Sequence, residues 1–214
     1  MLPARVLAGI RKRGLRATVG LISIRTRAIF DLIAPPTVWG ERIGLRSAKS
    51  PLGDAELELV FAWSRDAEVL RWSGGAPSQL DFAAFKRALR AERWQPETNQ
   101  RVFYVVTQAG GLIGRVGVYA IDWARGEGEL GLTLDRQHWD KRYGREATIL
   151  AVRHLFATTP LKRIYLGTSA DNLRAQRAAA ASGFRVSGKT RRFMPMLGEY
   201  VDGVEMEITP ENLR

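Results

Sequence analysis

The stretch Glu129-Leu130-Gly131-Leu132-Thr133-Leu134, followed by Trp139-Asp140-Lys141-Arg142-Tyr143-Gly144-Arg145-Glu146-Ala147, constrains this chain more than any other. Leu130, Leu132 and Leu134 alternate with other residues at the period of a half-buried strand. Past the turn, Ala147, Ile149, Leu150, Val152, Leu155 and Phe156 recur at helical spacing. The segment reads as strand, short turn and helix. At a helix start the unpaired N–H groups and the positive end of the dipole favour an anion, and Lys141, Arg142 and Arg145 add full charges nearby. A phosphate-holding turn is the expectation.

Other elements surround this one in a regular order. A strand is expected over Arg42 to Arg46, a helix near Asp54 to Ser64, and a second near Gln79 to Arg93, capped by Ser78 or Asp81. Val102 to Thr107 and Leu112 to Ile121 read as a hairpin around Ala109-Gly110-Gly111. The turn Arg125-Gly126-Glu127-Gly128 returns the chain into the strand ending at Leu134, so three antiparallel strands precede the long helix. Arg163 to Thr168 is the next strand, and Asn172 to Ser182 a helix closed by Gly183. Phe184 to Ser187, residues near Phe193, and Val201 to Ile208 supply the last strands.

The turn resembles the acyl-CoA loop of the GNAT N-acetyltransferase superfamily, whose Q/R-x-x-G-x-G/A pattern holds the CoA pyrophosphate. The corresponding six residues are Trp139 to Gly144. Within the superfamily it is most similar to the branch that acetylates ribosomal-protein N-termini, through Trp139, Tyr143, Gly144, Glu146 and Ala147. Asn172 to Phe184 resembles the family's N-x-x-S/A...G-F signature. The resemblance implies an α+β GNAT fold: a mixed, mostly antiparallel sheet flanked by helices over residues 37–214. It implies acetyl-CoA as cosubstrate, held by Leu132, Thr133, Leu134, Lys141, Arg142, Tyr143, Gly144, Arg145 and Asn172. The strand before the loop would part from its neighbour and leave N–H groups around Leu132 to Leu134 for the thioester and pantetheine. Glu129 would be the catalytic base. Arg142 stands where the first motif glycine belongs, so either a guanidinium contact replaces close backbone approach or CoA binding is weakened, the first being favoured. Ala175 and Ala179 occupy positions where relatives carry serine and tyrosine, so the usual acid is absent. Asn172 has two compatible roles, cofactor contact and helix N-cap.

The implied reaction is direct attack of a primary amine, from a protein N-terminus or a small molecule, on acetyl-CoA. The alternative is a noncatalytic GNAT-fold subunit held in a larger complex or on a membrane. The acceptor site would form from the first two helices and their loop, near Trp63, Trp72, Ser73, Gly74 and Gly75, and from the loop near Arg191 to Tyr200, with core burial the alternative for Trp63 and Trp72. Zero cysteines exclude disulfides and thiolate chemistry. The two histidines, His138 and His154, are expected to be structural, and no metal is expected. The net charge of +11 disfavours polycationic acceptors.

Residues 1–36 form a separate expectation, a basic amphipathic helix ended by Pro35-Pro36. Arg5, Arg11, Lys12, Arg13, Arg16, Arg25 and Arg27 face one acid, Asp31, while Leu15, Val19, Ile22, Ile29 and Ile33 recur at helical steps. Its longest uncharged run, Ala17 to Ile24, is far below the roughly 20 residues of a membrane span. It would dock on an anionic membrane surface, on a protein partner or in a homodimer, or pack on its own domain; it also has the composition of a targeting presequence. Nucleic acid is disfavoured by the lack of aromatic interleaving. The expected location is cytoplasmic, peripheral on a membrane or within a complex. Deleting residues 1–34 is expected to leave a folded domain that no longer sediments with anionic liposomes or captures a partner; an insoluble product would indicate self-packing instead.

Overall fold

Alternating apolar residues in eight segments build one continuous sheet in the computed structural model, which describes residues 38–92 and 98–213. The strands are β1 (Val38–Trp39), β2 (Ile43–Ser47), β3 (Arg101–Thr107), β4 (Leu112–Asp122), β5 (Glu127–Leu134), β6 (Arg163–Ser169), β7 (Arg185–Met194) and β8 (Glu199–Ile208). The helices are α1 (Asp54–Trp63), α2 (Ala67–Ser73), α3 (Phe82–Glu92), α4 (Tyr143–Thr158) and α5 (Leu173–Ala181). The strand order is β1-β2-β3-β4-β5-β6-β8-β7, and every neighbouring pair is antiparallel except β5 and β6. This is the GNAT fold expected above. The helix and link expected over residues 1–36 lie outside the described residues.

Each sheet face has its own core, because successive side chains of a strand point to opposite faces. On one face, Ile43, Leu45, Val116, Val118, Leu130, Ile164, Leu166 and Met206 pack with Ala147, Ala151, Val152 and Leu155 of α4 and Ala179 of α5. On the other, Tyr104, Val106 and Leu112 meet Trp63 of α1 and Val69 of α2, with Trp139 against them. Phe61 contacts Phe82 and Phe85 at centroid distances of 5.3 and 5.1 Å, which joins α1 to α3. Asp81 caps α3, accepting from the Ala84 N–H at 2.7 Å.

Three details differ from the sequence expectation. Helix α2 occupies part of what read as a loop. Seven residues are too few for a periodic signal, but Asp66 caps it by accepting from Glu68 and Val69 N–H, and Gly74 at φ 73° ends it. Strand β1 adds two residues to the sheet edge. Strand β7 is continuous, with a register shift between Val186 and Gly188 where two shorter strands were expected.

Two ionic clusters fix the long crossover from β5 through α4 to β6. At its lower end Arg163 donates to Glu127 on β5 at 3.2 Å and to Glu205 and Glu207 on β8 at 3.2 and 2.6 Å. At its upper end Glu146 accepts from the Arg42 backbone N–H at 2.7 Å and from Arg42 Nε at 2.9 Å. The Arg42 guanidinium also donates to the Lys141 carbonyl at 3.0 Å. Glu146 thus ties the start of α4 to the turn before β2, far along the sheet from β6. Glu146→Ala is expected to lower the unfolding free energy by about 2 kcal/mol, read from urea denaturation.

Candidate active site

Strands β5 and β6 are paired at one end only. Their register runs Glu127 to Arg163, Gly128 to Ile164 and Glu129 to Tyr165, and stops there. Beyond that point β6 continues to Ser169 on β8, and β5 continues to Leu134 on β4. A wedge therefore opens between Leu130–Leu134 and Leu166–Ser169. The Asp135 N–H donates to the Ile113 carbonyl, which makes Leu134 and Gly114 a pair without mutual hydrogen bonds. By alternation, the backbone polar groups of Leu132 and Leu134 face the wedge, and those of Thr133 face Arg115 on β4. Trp139 Nε1 donates to the Leu134 carbonyl at 2.9 Å, as that orientation requires. Of the three residues expected to offer N–H groups, Leu132 and Leu134 turn theirs toward the wedge and Thr133 turns its own toward β4.

The turn after β5 reaches α4 through two left-handed residues, Asp140 at φ 58° and Arg142 at φ 66°. Arg142 is the N-cap of α4. It keeps the backbone conformation that glycine adopts most cheaply, and it carries a long cation there. The N–H groups of Tyr143, Gly144 and Arg145 begin the helix, where no intrahelical acceptor exists for them. Lys141, Arg142 and Arg145 are exposed around them. The Tyr143 ring lies 4.8 Å from the Arg42 guanidinium and packs against the core, which makes its side chain structural. A cavity of about 300 Å³ continues from Arg145 and Ile149 of α4 to Ser182, Phe184 and Arg185 beyond α5. Asn172 is buried and caps α5 by accepting from the Ala175 N–H at 3.1 Å. The acceptor end of its amide is taken, and its NH2 end has no protein acceptor among the described residues.

The opposite face of the wedge carries charged groups. Glu129, at the last β5–β6 pair, accepts from Arg192 of β7 at 3.0 Å. Arg192 reaches it across β8 and β6 because residue 167 is glycine: a Cβ there would lie 2.1 Å from the guanidinium nitrogen. Tyr165 sits opposite Glu129, and the Arg163 guanidinium lies 5.0 Å from its ring. Burial, with the nearby charges of Glu129 and Glu127, pushes its phenol above the ordinary tyrosine range. Tyr165 was not singled out in the sequence, where it looks like one apolar strand residue among others. Trp72 flanks this face, whereas Trp63 takes the other role open to it in the sequence and is a core residue. Ala179 is likewise buried in the core, so α5 offers no hydroxyl at that position. His154 packs edge-on to Phe103 at 5.4 Å, and burial lowers its pKa, which keeps the ring neutral. His138 Nδ1 lies 3.4 Å from Asp135. Among the described residues no group of three potential metal ligands occurs, and no helix is long and apolar enough to cross a membrane.

Comparisons with known proteins bear on the family and the fold. The acetyltransferase (GNAT) domain model matches residues 42–185. The uncharacterized N-acetyltransferase p20 of Bacillus licheniformis is 26% identical over 167 residues, which cover 78% of this chain and 92% of that protein. The spermidine N-acetyltransferase of Vibrio cholerae, solved with CoA and spermine, superposes with a TM-score of 0.68 at 20% identity, covering 79% of this chain and 96% of the other. A GNAT-family acetyltransferase of Bacillus anthracis gives 0.65 at 18% identity, covering 82% and 99%. At such identities the structural likeness speaks for the fold alone. With the family model spanning well over half of the sequence, the chain belongs to the GNAT acetyltransferases.

Proposed function

We propose that this acetyltransferase moves the acetyl group of acetyl-CoA to the primary amine at a peptide N-terminus by direct attack. The observation that carries the reading is the wedge between β5 and β6, with Leu132 and Leu134 N–H groups turned into it and the positive end of α4 at its wide end. Acetyl-CoA supplies the activated acyl group and a thiolate leaving group. The N–H groups of Tyr143 to Arg145, with Lys141, Arg142 and Arg145, would receive its pyrophosphate. Leu132 and Leu134 N–H and the Asn172 NH2 would orient the pantetheine so that the thioester reaches the narrow end of the wedge, beside Glu129 and Tyr165.

There Glu129, oriented by Arg192, accepts the proton that the attacking amine loses, directly or through one water. Tyr165 remains protonated at neutral pH and donates to the departing sulfur, which replaces the hydroxyl missing from α5. The choice of a peptide N-terminus follows the likeness of residues 139–147 to the branch that modifies ribosomal proteins.

Acetyl-CoA should stabilise the chain saturably in a thermal shift; no stabilisation at millimolar concentration removes the reading. Glu129→Gln and Tyr165→Phe should each lower kcat about a hundredfold with acetyl-CoA affinity little changed. An unchanged kcat in either variant removes that residue from proton transfer. Arg142→Gly should act in opposite directions on two readouts. Relief of the left-handed arginine raises stability by about 1 kcal/mol, while loss of the guanidinium weakens acetyl-CoA binding about tenfold. Equal or tighter binding would show that Arg142 holds no phosphate.

A further inference from the structure

The carboxylates on the wedge's acceptor side have partners, and two arginines beside them have none. Glu127, Glu205 and Glu207 share Arg163, Glu127 also meets Arg125, and Glu129 pairs with Arg192. Asp66 lies 3.9 Å from Arg136, and Glu68 accepts from Trp72 Nε1 at 2.9 Å. By contrast, Arg174 at the start of α5 lies 3.8 Å above the Trp139 ring and 6.0 Å from Trp72, and Arg71 lies 4.9 Å from the same Trp72 ring. Neither guanidinium meets a carboxylate or carbonyl among the described residues. Asp140 and Asp171, exposed in the flanking loops, form no ion pair with either.

This arrangement suits an oxyanion. Both indoles are fixed, Trp72 by Glu68 and Trp139 by the Leu134 carbonyl. A guanidinium lying over an aromatic face keeps its N–H edge available, and that edge matches the two oxygens of a carboxylate. Two cations meet at Trp72, whose indole is held by Glu68, and neither is engaged in an ion pair with a carboxylate among the described residues.

The location sets the substrate. Trp139 follows β5 and Arg174 follows β6, so their contact bridges the wide end of the wedge, on the face that α2 covers. Glu129 marks the narrow end. Trp139 is held at Leu134, five residues beyond Glu129, and at a rise of about 3.3 Å per strand residue that is about 16 Å along β5. An extended peptide with its amine beside Glu129 covers that span in about five residues.

Resting on the reading of the site given above, we infer that the acceptor is a peptide N-terminus with acidic side chains around its fourth to sixth residues, received by Arg71 over Trp72 and Arg174 over Trp139. A polyamine whose amine reaches Glu129 from this side meets these two cations on approach.

The test uses the full chain, acetyl-CoA and three peptides that share residues one to three and carry glutamates, glutamines or lysines at positions four to six, with spermidine as a fourth acceptor. The acidic peptide should exceed the neutral one at least tenfold in kcat/KM, chiefly through KM, and exceed the lysine peptide and spermidine by more. In the double variant Arg71→Glu, Arg174→Glu the preference should invert toward the lysine peptide. Equal use of the three peptides, a preference for spermidine, or an unaltered ranking in the double variant would overturn the inference. Saturable acetyl-CoA binding without peptide acetylation overturns it too, and leaves the acetyltransferase reading standing; absence of acetyl-CoA binding overturns both.

Discussion

The site depends on the parallel pairing of β5 and β6 being closed at one end and open at the other. Backbone groups in a sheet ordinarily satisfy one another, and an unpaired strand segment in a domain interior carries a cost for every group without a partner. Here that cost falls on Leu132 and Leu134, whose N–H groups face the wedge where β6 has turned away onto β8. Groups left in this state are ready donors for amide and thioester carbonyls. The closed end is what makes the open end tolerable. Arg163 bonds three glutamates on β5 and β8, and the N–H groups of Lys162 and Arg163 both meet the Gly126 carbonyl.

Helix α4 keeps the open end open. Its start is fixed to the turn before β2 by Glu146, while its last turn delivers the chain to β6 through Leu161 in the core. The same contact decides what the loop residues do. Glu146 and Tyr143, both part of the loop resemblance, face the protein and hold the helix. Lys141, Arg142 and Arg145 are left on the solvent side with the free N–H groups of the first turn. Position 142 shows how far backbone geometry outranks residue type, because an arginine adopts the left-handed conformation that the turn demands.

Sequence reasoning carried the order of most elements and the turn itself, and it did so through strong periodicity. The alternation of Leu130, Leu132 and Leu134 and the helical spacing after residue 146 are visible in one dimension. Short elements escaped it. Helix α2 has only two turns, and its evidence is an aspartate cap and a left-handed glycine, both of which also occur in loops. Trp63 and Trp72 read alike in sequence, yet one fills a core and the other flanks the wedge, since burial is a property of the packed helices.

What the sequence determined by itself is local: a strand, an anion-favouring turn and a helix between residues 129 and 158, the lack of cysteine chemistry, and an excess of cation. Tertiary structure decided the partners. Glu129 meets Arg192, 63 residues away, only because β7 lies two strands beyond β5's neighbour and residue 167 has no side chain to block the path. Arg174 meets Trp139 because β5 and β6 part and bring the ends that follow them face to face across the wedge. Such pairings depend on strand order and register, which arise from long-range hydrogen bonding and packing and leave no period in the chain.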